Sequence, residues 1–122
     1  MSDYKELIVW QKSMDLAETV YKLTKQFPKD ELFGLTSQVR RSAVSIASNI
    51  AEGSSRGGKK EFIQFLLIAR GSASELETQV LLSSKVGYVL DVSSIIQEVT
   101  SVRQMLNALI RSLRGTEKEK KR

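Results

Sequence analysis

The stretch Gly53-Ser-Ser-Arg-Gly-Gly58-Lys59-Lys60 follows the phosphate-binding loop pattern G-x-x-x-x-G-K as far as its lysine. Such a loop cradles phosphates with backbone N–H groups, and the Ser or Thr that comes next holds the magnesium ion. Lys60 stands where that hydroxyl belongs, and the residues before the stretch read as helix where the loop requires a strand. The stretch is therefore expected to be a glycine-rich turn between two helices, without nucleotide hydrolysis. Carboxylates offer the other route to chemistry. Glu52, Glu75 and Glu77 lie in segments rich in small or apolar residues, and two such groups can act as acid and base. No nucleophile accompanies them, so ion pairing with Arg41 or Arg70 is the expected role.

The chain contains no His and no Cys. That removes thiolate ligands, disulfides, the commonest metal ligand and the side chain best suited to proton transfer near neutral pH. A di-iron centre, which a helical bundle would otherwise invite, needs two Glu-x-x-His motifs. No catalytic residue, metal or cofactor is expected, and the chain reads as a non-enzymatic binding or assembly protein.

The elements follow from hydrophobic spacing. The 122 residues suffice for one core, and 41% hydrophobic against 27% charged residues is an ordinary globular balance. No apolar run is long enough to span a bilayer, and charges interrupt Met1–Trp10 where a secretory signal needs an apolar middle, so a cytoplasmic protein is expected. A first helix is expected from Tyr4 to Gln26, with Trp10, Met14, Ala17, Tyr21 and Thr24 inward, ended by Phe27-Pro28. A second starts between Asp30 and Leu35 and turns Leu35, Val39, Ala43, Ile46 and Ile50 inward until Gly53 stops it. The third begins at Gly58, with Glu61 as half of a capping box, and buries Phe62, Leu66, Ala69, Ala73, Leu76, Val80 and Ser83 before Gly87. The fourth opens on Asp91 as N-cap and carries Val92, Ile95, Val99, Val102, Leu106, Leu109 and Leu113 to about Arg114. The sum is an all-α, antiparallel up-down-up-down four-helix bundle over residues 1–115, with residues 116–122 as a charged, disordered or frayed tail.

Two surfaces remain after the core is assigned. The third helix carries a second apolar stripe, Ile63, Leu67 and Leu81, which calls for a further neighbour, most simply another copy of the chain. On the second helix Arg41, Ser45, Ser48 and Glu52 share the side opposite the core, and with Asn49, Glu75 and Glu77 they are expected at an interface or in a structural network. Arg41 is expected to pair with a carboxylate across helices or subunits. Of the net charge of +5, most lies in residues 40–70, where Arg40, Arg56, Lys59, Lys60 and Arg70 make a basic region expected to contact phosphates.

The run Gln38-Val-Arg-Arg41-Ser-Ala-Val-Ser45-Ile-Ala-Ser-Asn49-Ile-Ala-Glu52-Gly53, followed by Lys60-Glu-Phe62 and by Ala69 to Gln79, resembles the family of proteins encoded in intervening sequences of bacterial 23S ribosomal RNA. Leu7-Ile-Val-Trp10-Gln-Lys and Phe27-Pro28 are similar too, while Gly58 stands where the family usually has a helix-capping Ser. The resemblance implies a four-helix bundle, a closed homo-oligomer expected as a pentamer, no known enzymatic activity, and a distant likeness to the accessory protein of diversity-generating retroelements, which binds nucleic acid. The expectation is thus an oligomeric helical scaffold that binds nucleic acid, RNA first, near the turn between helices 2 and 3. The alternative is a protein-protein interaction module with an unidentified protein as partner and no nucleic-acid role. Neither reading involves a membrane.

Overall fold

The structure, a computed structural model, describes residues 3–120, with side chains from Asp3 to Gly115. Its helices are α1 (Ile8–Thr24), α2 (Leu35–Ser55), α3 (Lys59–Lys85) and α4 (Ser93–Lys120), with short 3-10 turns at Tyr4–Glu6 and Lys29–Glu31. Short connections make consecutive helices antiparallel, and α1 packs on α4 to close the bundle. No helix of the described residues is long and apolar enough to cross a membrane.

On α2 and α3 every residue expected inward is buried, from Leu35 to Ile50 and from Phe62 to Ser83. In α4 Val99, Val102 and Leu106 are buried, with Leu109 and Leu113 packed against the core edge. α1 departs from expectation. Its buried positions are Val9, Ser13, Leu16, Ala17, Val20 and Thr24, whereas Met14 and Tyr21 are 46% and 44% exposed. The core stripe is turned by one residue, and the buried hydroxyls tolerate it because each finds a backbone carbonyl. Ser13 Oγ donates to Val9 O (2.7 Å) and Thr24 Oγ1 to Val20 O (2.9 Å).

Several helix ends differ from the spacing-based boundaries, each for a local reason. Asp3 Oδ1 accepts from Lys5 N at 3.0 Å and organises the 3-10 turn, after which extended Leu7 delays α1 to Ile8. Gly53 does not stop α2, which continues to Ser55; the chain turns at Gly57, whose φ of 88° suits a residue without Cβ. α4 passes through Gly115 to Lys120, where the expected tail begins as helix. Glu and Lys there are good helix formers, and one interior glycine costs only about 1 kcal/mol. The last two residues of that tail lie outside the described residues.

At the opposite end, two loops are tied together. Tyr88 Oη donates to Glu31 Oε2 at 2.7 Å, and Glu31 Oε1 accepts from Leu35 N at 3.2 Å, so one carboxylate links the α3–α4 loop to the first turn of α2. The hydrogen bond to Glu31 pushes the Tyr88 hydroxyl above its ordinary titration range.

Asp91 opens α4 by accepting from Ser93 N (2.9 Å) and Ser93 Oγ (2.7 Å), and these bonds lower its pKa. Because the folded value lies below the unfolded one, the stabilisation is complete above the unfolded value and vanishes as pH falls through the folded one. Asp91→Ala should therefore lower the melting temperature at pH 7, and the gap to the parent should narrow below about pH 4. A gap that stays constant between pH 7 and about pH 3 would remove Asp91 as the cause.

Candidate functional site

The α2–α3 connection is built by its glycines. Gly57 takes the positive φ, Gly58 is extended and serves as N-cap of α3, and a Cβ at either would meet nothing within 4 Å. The segment joins two helices, so the phosphate-loop reading has no strand to stand on. Among the described residues no group of three or more acidic, His or Cys side chains converges to hold a metal ion.

The three turn cations are not equivalent. Arg56 is held from both sides: Nη2 lies 2.8 Å from Glu52 Oε1, Nη1 lies 3.9 Å from Glu61 Oε2, and the guanidinium lies over the Phe65 ring at 5.2 Å. The Glu52 hydrogen bond raises its pKa further. Glu61, expected as half of a capping box, makes no hydrogen bond to the start of α3 among the described residues and lies beside Arg56 instead. Lys59 is half-buried and Lys60 exposed, and neither has an ionic partner among the described residues.

Arg40 and Arg70 are not part of this cluster. At 1.5 Å per residue, Arg40 sits about 24 Å along α2 from Arg56, with its Nε donating to Thr24 Oγ1 (2.9 Å) and its guanidinium over Tyr21. Arg70, about 16 Å into α3, donates from Nη1 to Asn107 Oδ1 at 3.1 Å. The charge-rich stretch is continuous in sequence and divided in space, because helices carry charges away from the turn.

The same register supplies cations that a scan along the sequence misses. Arg70 meets Asn107, and Arg103 meets Ser74 Oγ (3.2 Å) and Glu77 Oε2 (2.9 Å), which aligns α3 and α4 antiparallel. Continuing that alignment brings exposed Arg111 and Arg114 level with the first two turns of α3, at the Lys59–Lys60 end. The signal was available only through topology: in an up-down-up-down bundle the end of helix 4 lies beside the start of helix 3.

The expected interface residues divide in a similar way. Ser45 Oγ and Ser72 Oγ are 2.9 Å apart, Ser42 Oγ donates to Glu75 Oε1 (3.3 Å), and Asn49 Nδ2 donates back to Ser45 O (2.8 Å), so these small residues serve α2–α3 packing within the chain. Ser48 is exposed, and Arg41 is exposed with no carboxylate within ion-pair distance among the described residues. The pairing expected across helices of one chain is not formed. Of the second α3 stripe, Leu81 is 51% exposed and Leu67 half-buried, while Ile63 at 7% belongs to the core and offers no outer surface. Glu52 and Glu77 are occupied by Arg56 and Arg103, which leaves no free carboxylate pair for acid–base work among Glu52, Glu75 and Glu77.

The side chains displaced from the α1 core stripe form a feature of their own. Trp10, Met14 and Tyr21 wall an apolar groove of about 470 Å³ against α2, with Ala47, Ser48 and Ala51 as a shallow floor. Tyr4 closes one end by an edge-on contact with Trp10, their centroids 5.3 Å apart.

A family model described as 23S rRNA-intervening sequence protein matches residues 5–108. The chain is also similar to a crystal structure of a protein of unknown function of the S23 ribosomal protein family from Bacteroides thetaiotaomicron. The two are 28% identical, with a TM-score of 0.78 over 84% of this chain and 98% of that one. No curated protein matches the chain.

Proposed function

The chain belongs to the 23S rRNA-intervening sequence protein family, and from that premise we propose that it is a non-enzymatic, oligomeric helical scaffold whose basic end holds nucleic-acid phosphates. The observation that carries the binding half is that Lys59 and Lys60, in the first turn of α3 just after the glycines, have no ionic partner among the described residues, with exposed Arg111 and Arg114 toward the same end of the bundle. Cations that no carboxylate engages among the described residues are free to replace the counterions of a phosphate backbone, and a ring of copies would repeat them. Arg56 contributes less, since Glu52 and Glu61 already occupy it.

Single-stranded RNA is the first probe and duplex DNA the second. Binding measured by fluorescence anisotropy should be detectable at about 50 mM salt and weaken steeply toward about 200 mM, with a log–log slope near 0.7 per phosphate on single strands. Lys59→Glu with Lys60→Glu should cost more than tenfold in affinity, and Arg56→Ala less, with helicity unchanged in both. If the parent protein binds neither probe at about 50 mM salt, the nucleic-acid half is wrong. The reading as a protein-protein interaction module then takes its place, favoured by the apolar groove between α1 and α2.

A further inference from the structure

On the reading just given that the basic end holds phosphates, we infer that the bound nucleic acid is a single strand lying along the seam between α3 and α4, with Arg70 holding a phosphate well beyond the turn. At about 100° per residue, Arg103, Asn107, Arg111 and Arg114 fall within about 80° of one another on the flank of α4 that meets α3. Lys59, Lys60 and Arg70 fall within about 100° on the facing flank of α3. Two contacts fix the pairing of these flanks: Arg70 Nη1 donates to Asn107 Oδ1 at 3.1 Å, and Arg103 Nη1 to Ser74 Oγ at 3.2 Å.

Carboxylates are turned elsewhere. Glu61 lies beside Arg56 on the α2 side, Glu75 Oε1 accepts from Ser42 of α2, and Glu98 Oε1 accepts from Thr19 of α1. From the α2–α3 turn to Arg103 the seam therefore sets six cations against Glu77, its one carboxylate among the described residues. Outside this stretch the remaining lysines and arginines of the chain equal its aspartates and glutamates in number, so the net charge of +5 is the charge of this seam.

The cations form a row. With Arg70 level with Asn107 and a rise of about 1.5 Å per residue, Arg103 lies about 6 Å to one side of Arg70; Arg111, Arg114 and Lys60 follow at about 6, 10 and 15 Å to the other. One strand of a duplex rises about 3.4 Å per phosphate while winding around its axis, so it soon leaves a straight row, whereas a single strand can follow it. Arg70 suits the role. Its half-buried guanidinium is held by a neutral amide, so its position is fixed while its charge stays uncompensated. Arg103, engaged by Glu77 at 2.9 Å, marks the end of the row. The aromatic residues of α3, Phe62 and Phe65, lie in the core and under Arg56, and α4 has none, so the bases meet no stacking platform and are not read.

Fluorescence anisotropy with a single-stranded RNA of about twelve nucleotides, and with the same sequence as a duplex, tests the arrangement. The single strand should bind more tightly than the duplex, with a log–log salt slope near 3, about 0.7 for each of four phosphates. Asn107→Asp should weaken binding about fivefold at about 100 mM salt and lower the slope by about 0.7, the share of one contact. Its melting temperature should hold or rise, because the new carboxylate keeps the bond to Arg70 while cancelling its charge. Arg70→Gln should weaken binding by a similar factor, and Arg70→Lys should keep the parent slope. Lys12→Gln with Lys22→Gln, which removes two exposed cations from α1, should leave affinity within about twofold. A parent protein that binds neither probe at about 50 mM salt overturns the nucleic-acid reading and this inference together. A parent that binds while Asn107→Asp and Arg70→Gln bind equally well, or a duplex that binds as tightly as the single strand, overturns the seam alone. Equal competition by a polyglutamate of the same charge does so too, and makes the ligand an acidic peptide.

Discussion

Gly53→Ala should lower the stability of this bundle, although alanine is the better helix former. A Cβ at position 53 would lie 2.6 Å from Phe65 Cβ and 3.1 Å from Phe62 Cδ1. Ordinary carbon contacts are about 3.5–4.0 Å, so the overlap is close to 1 Å. Rotating Phe65 cannot relieve it, because the obstructing atom is bonded directly to the α3 backbone; the helices must separate. Overpacking of this kind costs about 1–3 kcal/mol, against about 1 kcal/mol recovered from helix propensity. The steric term outweighs the propensity gain by up to about 2 kcal/mol, and the melting temperature should fall by up to roughly 10 °C. Gly115→Ala is the control with the opposite sign. Gly115 also lies in a helix but is exposed, with nothing within 4 Å of its added Cβ, so that change should be neutral or stabilising by up to about 1 kcal/mol. If both variants shift in the same direction, close approach of α2 and α3 is not what glycine provides at position 53.

Gly53 also shows where a sequence is misread. As a letter it signals the end of a helix, and nothing local says otherwise. Its role is set by Phe62 and Phe65 on the next helix, which need a partner without a side chain. The stripes of α2 and α4 were legible because each has one strong apolar row, and that of α3 because its main row from Phe62 to Ser83 is longer than the second stripe beside it. The basic region was legible only as composition. Helix rise carries Arg40 and Arg70 away from the turn, and only the antiparallel register brings Arg111 and Arg114 toward it. Of the small polar residues on α2, Ser42 and Ser45 face α3 of their own chain, while Ser48 faces outward, a division that spacing on one helix does not show.

The α1 stripe is the clearest case, and it yields a comparison of large effect. Two apolar rows run side by side on this helix, Val9, Leu16 and Val20 in one, Trp10, Met14 and Tyr21 in the other. Both repeat at helical spacing, and the bulkier row draws the inward assignment. The structure buries the first, with Leu16 at 0% exposure, and leaves Met14 at 46%. Leu16→Ala should then cost about 2–5 kcal/mol, the transfer term of the lost side chain plus a cavity that the surrounding core cannot fill. Met14→Ala should cost well under half of that in the unfolding of a single copy, because its side chain already meets water on one side. Urea titration at low protein concentration measures the two midpoints without the contribution of assembly. Should Met14→Ala prove the more damaging, the row of Trp10, Met14 and Tyr21 is the core after all. The groove it walls would then vanish from the outer surface of α1 and α2.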